Sequence, residues 1–401
     1  MMAEMTLLYD LHQQYLSNLQ ITFRRNLIDD IDWEEQLLAI QGARGVGKST
    51  LFLQHIKETF GNRKEALFIS MDNFALKDFK IYDIAKYHLE HGGSHLFIDE
   101  IHKYEDWSIE LKSIYDLLPN LKVAFTSSSI LQVYKGFADL SRRAITYELK
   151  GLSFREYLQI ETKLQLKSYT LDEILQNHVD IAHEILKTTK PLAYFNHYLQ
   201  YGYYPFYLKG KKNYLSKLNS VLNTILDVDI PYLLNVNMSN VFKIKKLIST
   251  LASEIPFQPN TTKLAASLDL SRSTLNTYLH YLDQACILNL LLDKGKYYSA
   301  LSKPEKIYLN NSNLCYAISP GKINVGALRE IFFMNQVQLS HQVNFSKQSD
   351  FIVDSKYIFE VGGHYKSYHQ VADIENSYLA VDETEIGSGN RIPLWLFGFL
   401  Y

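Results

Sequence analysis

Residues 37–60 read LLAIQGARGVGKSTLFLQHIKETF, and they decide the fold of the first part of the chain. The opening LLAI is a short apolar run typical of a buried strand, whereas TLFLQHIKETF has apolar residues at helical spacing. Between them lies the pattern G-x-x-x-x-G-K-S, from Gly42 to Ser49. Its glycines let the backbone wrap around a phosphate, and the following helix adds its positive N-terminal end. The sequence therefore predicts a nucleotide-binding P-loop in an α/β domain.

This loop also predicts how the nucleotide is held. Lys48 would reach the β- and γ-phosphates, and the hydroxyl of Ser49 would hold Mg²⁺. We therefore expect ATP and Mg²⁺ as cofactors. The predicted nucleotide-binding stretch is Gly42, Ala43, Arg44, Gly45, Val46, Gly47, Lys48, Ser49 and Thr50.

A second motif, GGSHLFIDEIHKYEDW at 92–107, supplies acidic residues. HLFI is a short apolar strand that ends in Asp99 and Glu100, and ligands bind at the carboxyl ends of strands in a parallel sheet. We expect Asp99 to position Mg²⁺ through water. Glu100 is predicted to be the general base that polarises the attacking water.

A third strand, LKVAFTSSSI at 121–130, ends in the hydroxyl residues 126–129. Ser127 is predicted to contact the γ-phosphate or the water, although Ser128 or Ser129 could equally cap a helix. Arg142 and Arg143 follow in DLSRRAITYEL. An arginine can stabilise phosphoryl-transfer charge in cis or in trans, but at least one of this pair is expected to be an ordinary surface cation.

Six blocks of the sequence together resemble a family of bacterial and archaeal AAA+-like ATPases. They are IQGARGVGKSTL, LFIDEIHKYEDWSIELKSIYD, TSSS, LSRRA, LSFREYL and YGYYPFYL. The resemblance implies ATP, Mg²⁺ and a cytoplasmic setting. Arg143 matches the arginine that closes the family's loop after the hydroxyl strand, which implies a catalytic role. Gly202 and Pro205 match a glycine–proline turn, which implies that Pro205 lies near the adenine.

The same resemblance implies a P-loop core with a parallel sheet, a helical lid, a winged-helix domain and a C-terminal α/β domain related to restriction endonucleases. We place these domains at residues 1–150, 151–220, 221–305 and 306–401. A chain of 401 residues is long enough for two to four domains.

Residues 261–292 read helix, turn, helix and strand, which fits a winged helix. Ser271 is predicted to cap the recognition helix, and LNLLLDKGKYYSAL at 288–301 is predicted to form the wing hairpin. The side chains available for a short DNA contact are Arg272, Ser273, Thr274, Asn276, Lys263, Lys294 and Lys296. The alternative is a structural arm or a protein contact.

The last hundred residues carry three acids in a suggestive order. Glu330 lies in an amphipathic helix, Asp350 begins the strand DFIVD, and Glu360 ends KYIFEV. This order resembles the PD-(D/E)xK arrangement, in which such acids gather hard cations. Gly362 stands where that pattern has lysine, and Lys366 could replace it by folding back if the loop allows this. We predict a degenerate, inactive site that binds a protein partner or DNA backbone, with an active nuclease as the alternative.

Composition narrows the functional classes that the sequence allows. Lys and Arg number 41 against 43 Asp and Glu, so no overall basic field attracts nucleic acid. Two cysteines cannot build a disulfide framework. We see no signal peptide and no apolar stretch of membrane-spanning length, and we expect a cytoplasmic protein.

Three functional hypotheses remain open at this point. The first is an ATP-hydrolysing switch or remodeller of AAA+ type. The second is a DNA-binding effector or nuclease-related regulator whose ATPase gates the C-terminal domain. The third is a protein-interaction scaffold that holds nucleotide only for structure. We expect ATP or ADP as a ligand and no membrane.

Overall fold

The computed structural model describes residues 2–128, 140, 142–234, 236–293, 303–321, 323–367 and 374–401. The chain forms two compact units, Met1–Lys150 and Gly151–Tyr401. The subdivision of the second unit at residues 220 and 305 stays a prediction.

The N-terminal unit alternates helices with parallel strands. Its elements are α1 (Met2–Ser17), α2 (Leu27–Asp30), β1 (Leu37–Gly42), α3 (Lys48–Thr59), β2 (Ala66–Ser70), α4 (Ile81–Glu90), β3 (His95–Asp99), α5 (Trp107–Leu117), β4 (Lys122–Ser128) and β5 (Ile145–Glu148).

These strands form one parallel sheet in the order β2-β3-β4-β1-β5. Strand β1 is buried along its whole length between β4 and β5, as the apolar run LLAI predicts. Parallel strands end at the same edge, so the P-loop after β1 lies beside the carboxyl ends of β3 and β4. The α/β P-loop NTPase fold predicted from the sequence is confirmed.

Strand β2 is an edge of this sheet, and α1 covers part of it. The backbone N–H of Phe68 donates to Nδ1 of His12, 2.9 Å away. An unpaired edge N–H would otherwise be open to pairing with another strand. His12 therefore stabilises this edge only while its ring nitrogen is unprotonated.

The C-terminal unit is mainly helical before its own sheet begins. Its helices are α6 (Phe154–Thr162), α7 (Leu171–Leu186), α8 (Pro191–His197), α9 (Tyr214–Thr224), α10 (Ile230–Leu234), α11 (Met238–Ala252), α12 (Thr261–Ser267), α13 (Arg272–Gln284), α14 (Ser312–Ile318) and α15 (Val325–Val337). Its strands are β6 (Leu288–Leu291), β7 (Lys306–Leu309), β8 (Val343–Phe345), β9 (Phe351–Val353), β10 (Tyr357–Gly362), β11 (Ser377–Val381) and β12 (Arg391–Pro393).

The last five strands form a mixed sheet in the order β12-β11-β10-β9-β8. Strands β8, β9 and β10 pair antiparallel, whereas β10, β11 and β12 pair parallel. Helix α15 packs against β10. The strand β10, which carries Glu360, is therefore central in the sheet and covered by a helix.

A buried amide connects the early helices of this unit to α14. The side-chain nitrogen of Asn313 donates to the carbonyls of Tyr198 and Leu199, and its oxygen accepts from the N–H of Tyr203 and the hydroxyl of Tyr214. Breaking such a network would leave several buried polar groups unsatisfied. The segment predicted to be a lid is therefore tied to the later part of its own unit.

The helix–turn–helix pattern is present in α12 and α13. Ser271 caps α13 as predicted, because its hydroxyl accepts the N–H of Thr274 at 3.0 Å. Residues 294–302 of the predicted wing lie outside the described residues, so its turn and second strand stay a prediction. Strand β6, which begins the LNLLLDKGKYYSAL stretch, pairs antiparallel with β7 at 306–309, beyond that stretch. The predicted boundary at 305 consequently separates two paired strands.

Among the described residues, no helix is both long and apolar enough to cross a membrane.

Candidate functional site

The predicted phosphate loop has the backbone that its glycines predict. Gly45 and Gly47 have φ values of 91° and 100°, which favour glycine. A side chain at Gly42 would meet the carbonyl oxygen of Leu149 at 2.2 Å. Buried Lys48 lies over this loop, where its Nζ donates to the carbonyls of Gly42 and Ala43 at 2.8 and 3.1 Å. An incoming phosphate could replace both carbonyls as the partner of the ammonium group.

Asp99 lies at the end of β3, and the structure brings it to the start of α3. Its Oδ1 accepts a 2.7 Å hydrogen bond from the hydroxyl of Thr126, and the hydroxyl of Ser49 also bonds to its carboxylate. Burial raises the pKa of Asp99, with a further contribution from the charge of Glu100. The hydrogen bonds and Lys48 oppose this rise. A buried carboxylate beside a hydroxyl offers the oxygen ligands that Mg²⁺ prefers.

Glu100 follows directly, in a left-handed conformation with φ 51° and ψ 45°. Such backbone is costly for a residue with a side chain and clusters at functional sites. The N–H of Glu100 donates to Oγ1 of Thr126 at 2.9 Å, so one hydroxyl joins the two neighbouring acids. The carboxylate lies 3.3 Å from Nε2 of the buried His102. Sequence reasoning missed His102, whose only signal is its position two residues after the predicted base.

The hydroxyl strand ends beside these acids. The hydroxyl oxygens of Ser127 and Ser128 are shielded from solvent, and neither has a hydrogen-bond partner among the described residues. Buried hydroxyls without partners are rare in folded proteins. They fit a ligand with many acceptor oxygens, such as a phosphate. Ser129, which the sequence also suggested, lies outside the described residues.

Arg143 does not lie at this edge of the sheet. It precedes β5, whose first residue Ile145 pairs with Leu38 near the amino end of β1. Its Nε donates to Asp116 at 3.2 Å, near the end of α5. Arg143 therefore lies at the opposite ends of these strands from the P-loop, and its catalytic role stays a prediction. A role in trans stays a prediction.

Other predicted contacts lie in the C-terminal unit. Pro205 begins a short 3₁₀ helix at Pro205–Lys209, and its contact with adenine stays a prediction. Arg272 and Ser273 are exposed at the start of α13. Lys294 and Lys296 lie outside the described residues, so DNA binding at the predicted wing is also a prediction.

The three C-terminal acids converge on two lysines. Nζ of Lys306 lies 3.3 Å from Oδ1 of Asp350 and 3.6 Å from Oε2 of Glu330. The hydroxyl of Tyr308 donates to the same Glu330 oxygen at 2.5 Å. Burial raises the pKa of Glu330, and repulsion from Asp350 raises it further. Sequence reasoning missed Lys306, which no motif connects to the acids.

Lys366 folds back to the acids and takes the position of the lysine that the sequence pattern lacks at Gly362. Its Nζ lies 2.6 Å from Oε1 of Glu360, and this hydrogen bond raises the pKa of Lys366, with smaller contributions from Asp350 and Glu330. A side chain at Gly362 would lie 2.5 Å from Cγ of Lys366. The glycine that breaks the pattern therefore makes room for the lysine that replaces it. Among the described residues, no three His, Cys, Asp or Glu side chains could together hold a metal ion.

Two family matches cover different parts of the chain. Residues 34–158 match an AAA domain, and residues 192–325 match a domain of unknown function (DUF8612). The second match crosses both predicted boundaries at 220 and 305. Glu330, Asp350 and Glu360 lie beyond both matched segments.

Similar proteins include an archaeal sequence and several proteins of solved structure. Uncharacterized protein MJ1637 of Methanocaldococcus jannaschii is 27% identical over 292 residues, which is 68% of this chain and 60% of the relative. The STAND protein PH0952 of Pyrococcus horikoshii is 15% identical, covers 80% of this chain and 45% of its own, and has a TM-score of 0.31. AMPPCP-bound DnaA of Aquifex aeolicus is 16% identical, with 67% and 90% coverage and a TM-score of 0.26. Orc1 of Aeropyrum pernix, in complex with DNA, is 10% identical, with 80% and 92% coverage and a TM-score of 0.29.

These TM-scores are too low to support a functional inference, and the chain covers less than two thirds of the archaeal relative. The parallel sheet, the P-loop and the AAA-domain match define the protein class of the N-terminal unit. The N-terminal unit is an α/β P-loop domain, and residues 34–158 match an AAA domain.

Proposed function

We propose that this chain binds and hydrolyses ATP with Mg²⁺ and acts as a molecular switch or remodeller of AAA+ type. One observation carries the proposal, namely the hydrogen-bonded series Ser49, Asp99, Thr126 and Glu100 beside the ammonium group of Lys48. At one edge of the sheet, this series brings together groups that would hold a metal ion, act as a general base and bind a phosphate.

Each residue has a separate task in this proposal. Lys48 exchanges its two carbonyl partners for phosphate oxygens, and Ser49 and Asp99 hold Mg²⁺. The bound ion supplies charge neutralisation to the phosphates. Glu100 accepts a proton from the attacking water, and Ser127 offers its hydroxyl to the γ-phosphate. Arg143 acts in trans, on the nucleotide of a second chain.

The second candidate is an ATPase that responds to DNA. The capped helix α13, with exposed Arg272 and Ser273 at its N-terminal end, favours this candidate. Positively charged groups at a recognition helix position a protein on phosphates. A scaffold that holds nucleotide without turnover is the third candidate, and no contact in the described residues favours it.

Steady-state ATP hydrolysis by the full chain, with Mg²⁺ and with or without duplex DNA, separates these candidates. Turnover without DNA supports the switch, and turnover that rises with DNA supports the second candidate. Bound nucleotide without turnover would contradict the proposal. The matched controls are Lys48→Ala and the exposed Lys64→Ala, of which only the first should lose activity.

A further inference from the structure

A short segment before the parallel sheet, residues 23–25, is held against helix α3. The side chain of Gln54 donates to the carbonyl of Phe23 at 2.6 Å, and Nε of Arg24 donates to Oε2 of Glu58 at 2.9 Å. Both partners belong to α3, which begins within the P-loop. The helix therefore carries the next side chain of this segment to the loop.

That next residue is Arg25, which lies against the phosphate loop and is only 5% exposed. Its Nη1 donates to the carbonyl of Val46 at 3.0 Å, and its Nη2 donates to the carbonyl of Lys150 at 2.8 Å. Burial of a guanidinium group is costly unless its donors find acceptors, and its rigid fork fixes where those acceptors must lie. Arg25 therefore ties the P-loop to the segment that follows β5.

The segment after β5 contacts the P-loop at a second point. The N–H of Leu149 donates to the carbonyl of Gln41 at 2.7 Å, and the carbonyl oxygen of Leu149 occupies the space that a side chain at Gly42 would need. The P-loop is thus fixed at its first glycine by the chain itself and near its last glycine by Arg25.

The carbonyl of Val46 and the N–H of Gly47 belong to the same peptide group. A carbonyl that accepts a hydrogen bond from a cation polarises its peptide, so that the N–H on the other side becomes a stronger donor. The N–H groups of a P-loop point at the phosphates of the nucleotide. Because Val46 is fully buried, water does not screen this effect.

We propose that Arg25 is a positioning residue of the P-loop, which holds the Val46–Gly47 peptide and strengthens the Gly47 N–H as a donor to a phosphate of the nucleotide. The effect on ATP rests on the proposed function, whereas the polarisation of the peptide does not. Arg24 provides the contrast, because it is 40% exposed and pairs only with Asp29 and Glu58 on the surface, where ion pairs contribute little.

Nuclear magnetic resonance of the nucleotide-free full chain tests the polarisation. In Arg25→Met, the amide nitrogen and proton of Gly47 should shift upfield, because the Val46 carbonyl loses its cationic donor. Arg25→Lys keeps a cation without the fork and should shift them less. The matched control Arg24→Met should leave both resonances unchanged. Labelling of valine carbonyl carbons and glycine nitrogens selects this peptide and two internal references, Val325–Gly326 and Val361–Gly362.

Nucleotide affinity of the same variants, measured by calorimetry with a non-hydrolysable ATP analogue and with ADP, tests the consequence. Cooperative polarisation strengthens a hydrogen bond by about 10–30%, which corresponds to about twofold to twentyfold in affinity. Arg25→Met should weaken both ligands by such a factor, since both carry the phosphates that the loop contacts. Arg25→Lys should recover part of the loss, and Arg24→Met should bind as the wild type does.

A lower melting temperature of Arg25→Met with unchanged Gly47 resonances and unchanged affinity would overturn the inference, because the arginine would then stabilise the fold alone. If Arg25→Met does not fold, Arg25→Gln takes its place, since its neutral amide can still donate to one carbonyl. Unchanged Gly47 resonances in folded Arg25→Gln would overturn the inference as well. If the wild type binds no nucleotide, the proposed function fails, and the Gly47 resonances alone decide on Arg25.

Discussion

Two regions of this molecule place lysines beside buried acids, and they do so in opposite ways. In the N-terminal unit, Lys48 donates to backbone carbonyls, and Asp99 accepts hydrogen bonds from hydroxyl groups. In the C-terminal unit, Lys306 and Lys366 pair directly with carboxylates.

The difference lies in what a ligand must displace. Exchange of a neutral hydrogen bond for one to a phosphate costs little, because the lost partner is replaced at once. Separation of a partly buried ion pair leaves an uncompensated charge and costs far more. The first site is therefore arranged to receive a charged ligand, and the second is arranged to resist one.

The largest expected effect concerns the base of the first site. Glu100→Gln should bind ATP normally but hydrolyse it about 10²- to 10⁴-fold more slowly, since the amide keeps the shape and cannot accept the proton. Single-turnover hydrolysis and nucleotide binding, measured on the same preparation, check this. The exposed Glu105→Gln is the control. A wild-type rate of hydrolysis in Glu100→Gln would show that Glu100 is not the catalytic base.

A second prediction concerns the exchangeable lysine. Lys48→Ala should weaken ATP binding by about tenfold to a hundredfold or more, because a charge-assisted hydrogen bond to phosphate is lost. Its fold should persist, since the two carbonyls it leaves can bind water. Calorimetric titration with a non-hydrolysable ATP analogue measures the affinity. An unchanged dissociation constant in a folded Lys48→Ala protein would contradict the claim that the first site is arranged to receive a charged ligand.

The third prediction tests the coupling of Gly362 to Lys366. The backbone of β10 at Gly362 needs no left-handed conformation, so alanine is allowed there except for its contact with the lysine. Gly362→Ala should reduce the free energy of unfolding by about 1–3 kcal/mol, the usual cost of overpacking. Urea denaturation should show a much smaller cost in a Lys366→Ala background. Equal costs in both backgrounds would show that the two positions are not coupled.

The last prediction concerns the pH dependence of stability. Burial lowers the pKa values of His12, His55 and His88 to about 4, all in the N-terminal unit. The unfolded chain binds these protons near pH 6.5 and the folded unit does not, so stability should fall as pH drops from about 6.5 toward 4. Each histidine contributes a slope of up to about 1.4 kcal/mol per pH unit.

His12→Gln tests this slope, because glutamine can still accept the N–H of Phe68. Urea unfolding at several pH values, followed by Trp33 and Trp107 fluorescence in a Trp395→Phe background, reports on the N-terminal unit. The variant should lose less stability between pH 7 and 5 than its parent. Parallel pH profiles would show that His12 is not protonated on unfolding.

The sequence predicts those features that depend on local pattern. The strand–loop–helix around Lys48, the strand that ends in Asp99 and the Ser271 cap each follow from a few consecutive residues. A resemblance in their order suggested that Glu330, Asp350 and Glu360 lie together, and the structure brings Glu330 and Asp350 to the same lysine. Roles assigned to these residues remain predictions.

What the sequence could not predict depends on register between distant strands. Lys306, which lies 3.3 Å from Asp350, begins a strand that pairs with the distant β6. Arg143 lies at the amino end of the sheet because of how β5 pairs with β1. Neither pairing can be predicted from nearby residues, because many alternative registers would bring side chains of similar type together.

The most direct test of the account is a measurement of Mn²⁺ bound by the wild-type chain with and without ATP. Because the first site needs nucleotide to complete its ligands and the acids of the second are paired with lysines, we expect no tightly bound Mn²⁺ in the absence of ATP and one ion per chain in its presence. Tight Mn²⁺ binding without ATP that disappears in Glu360→Gln, or no gain of bound Mn²⁺ with ATP, would contradict it.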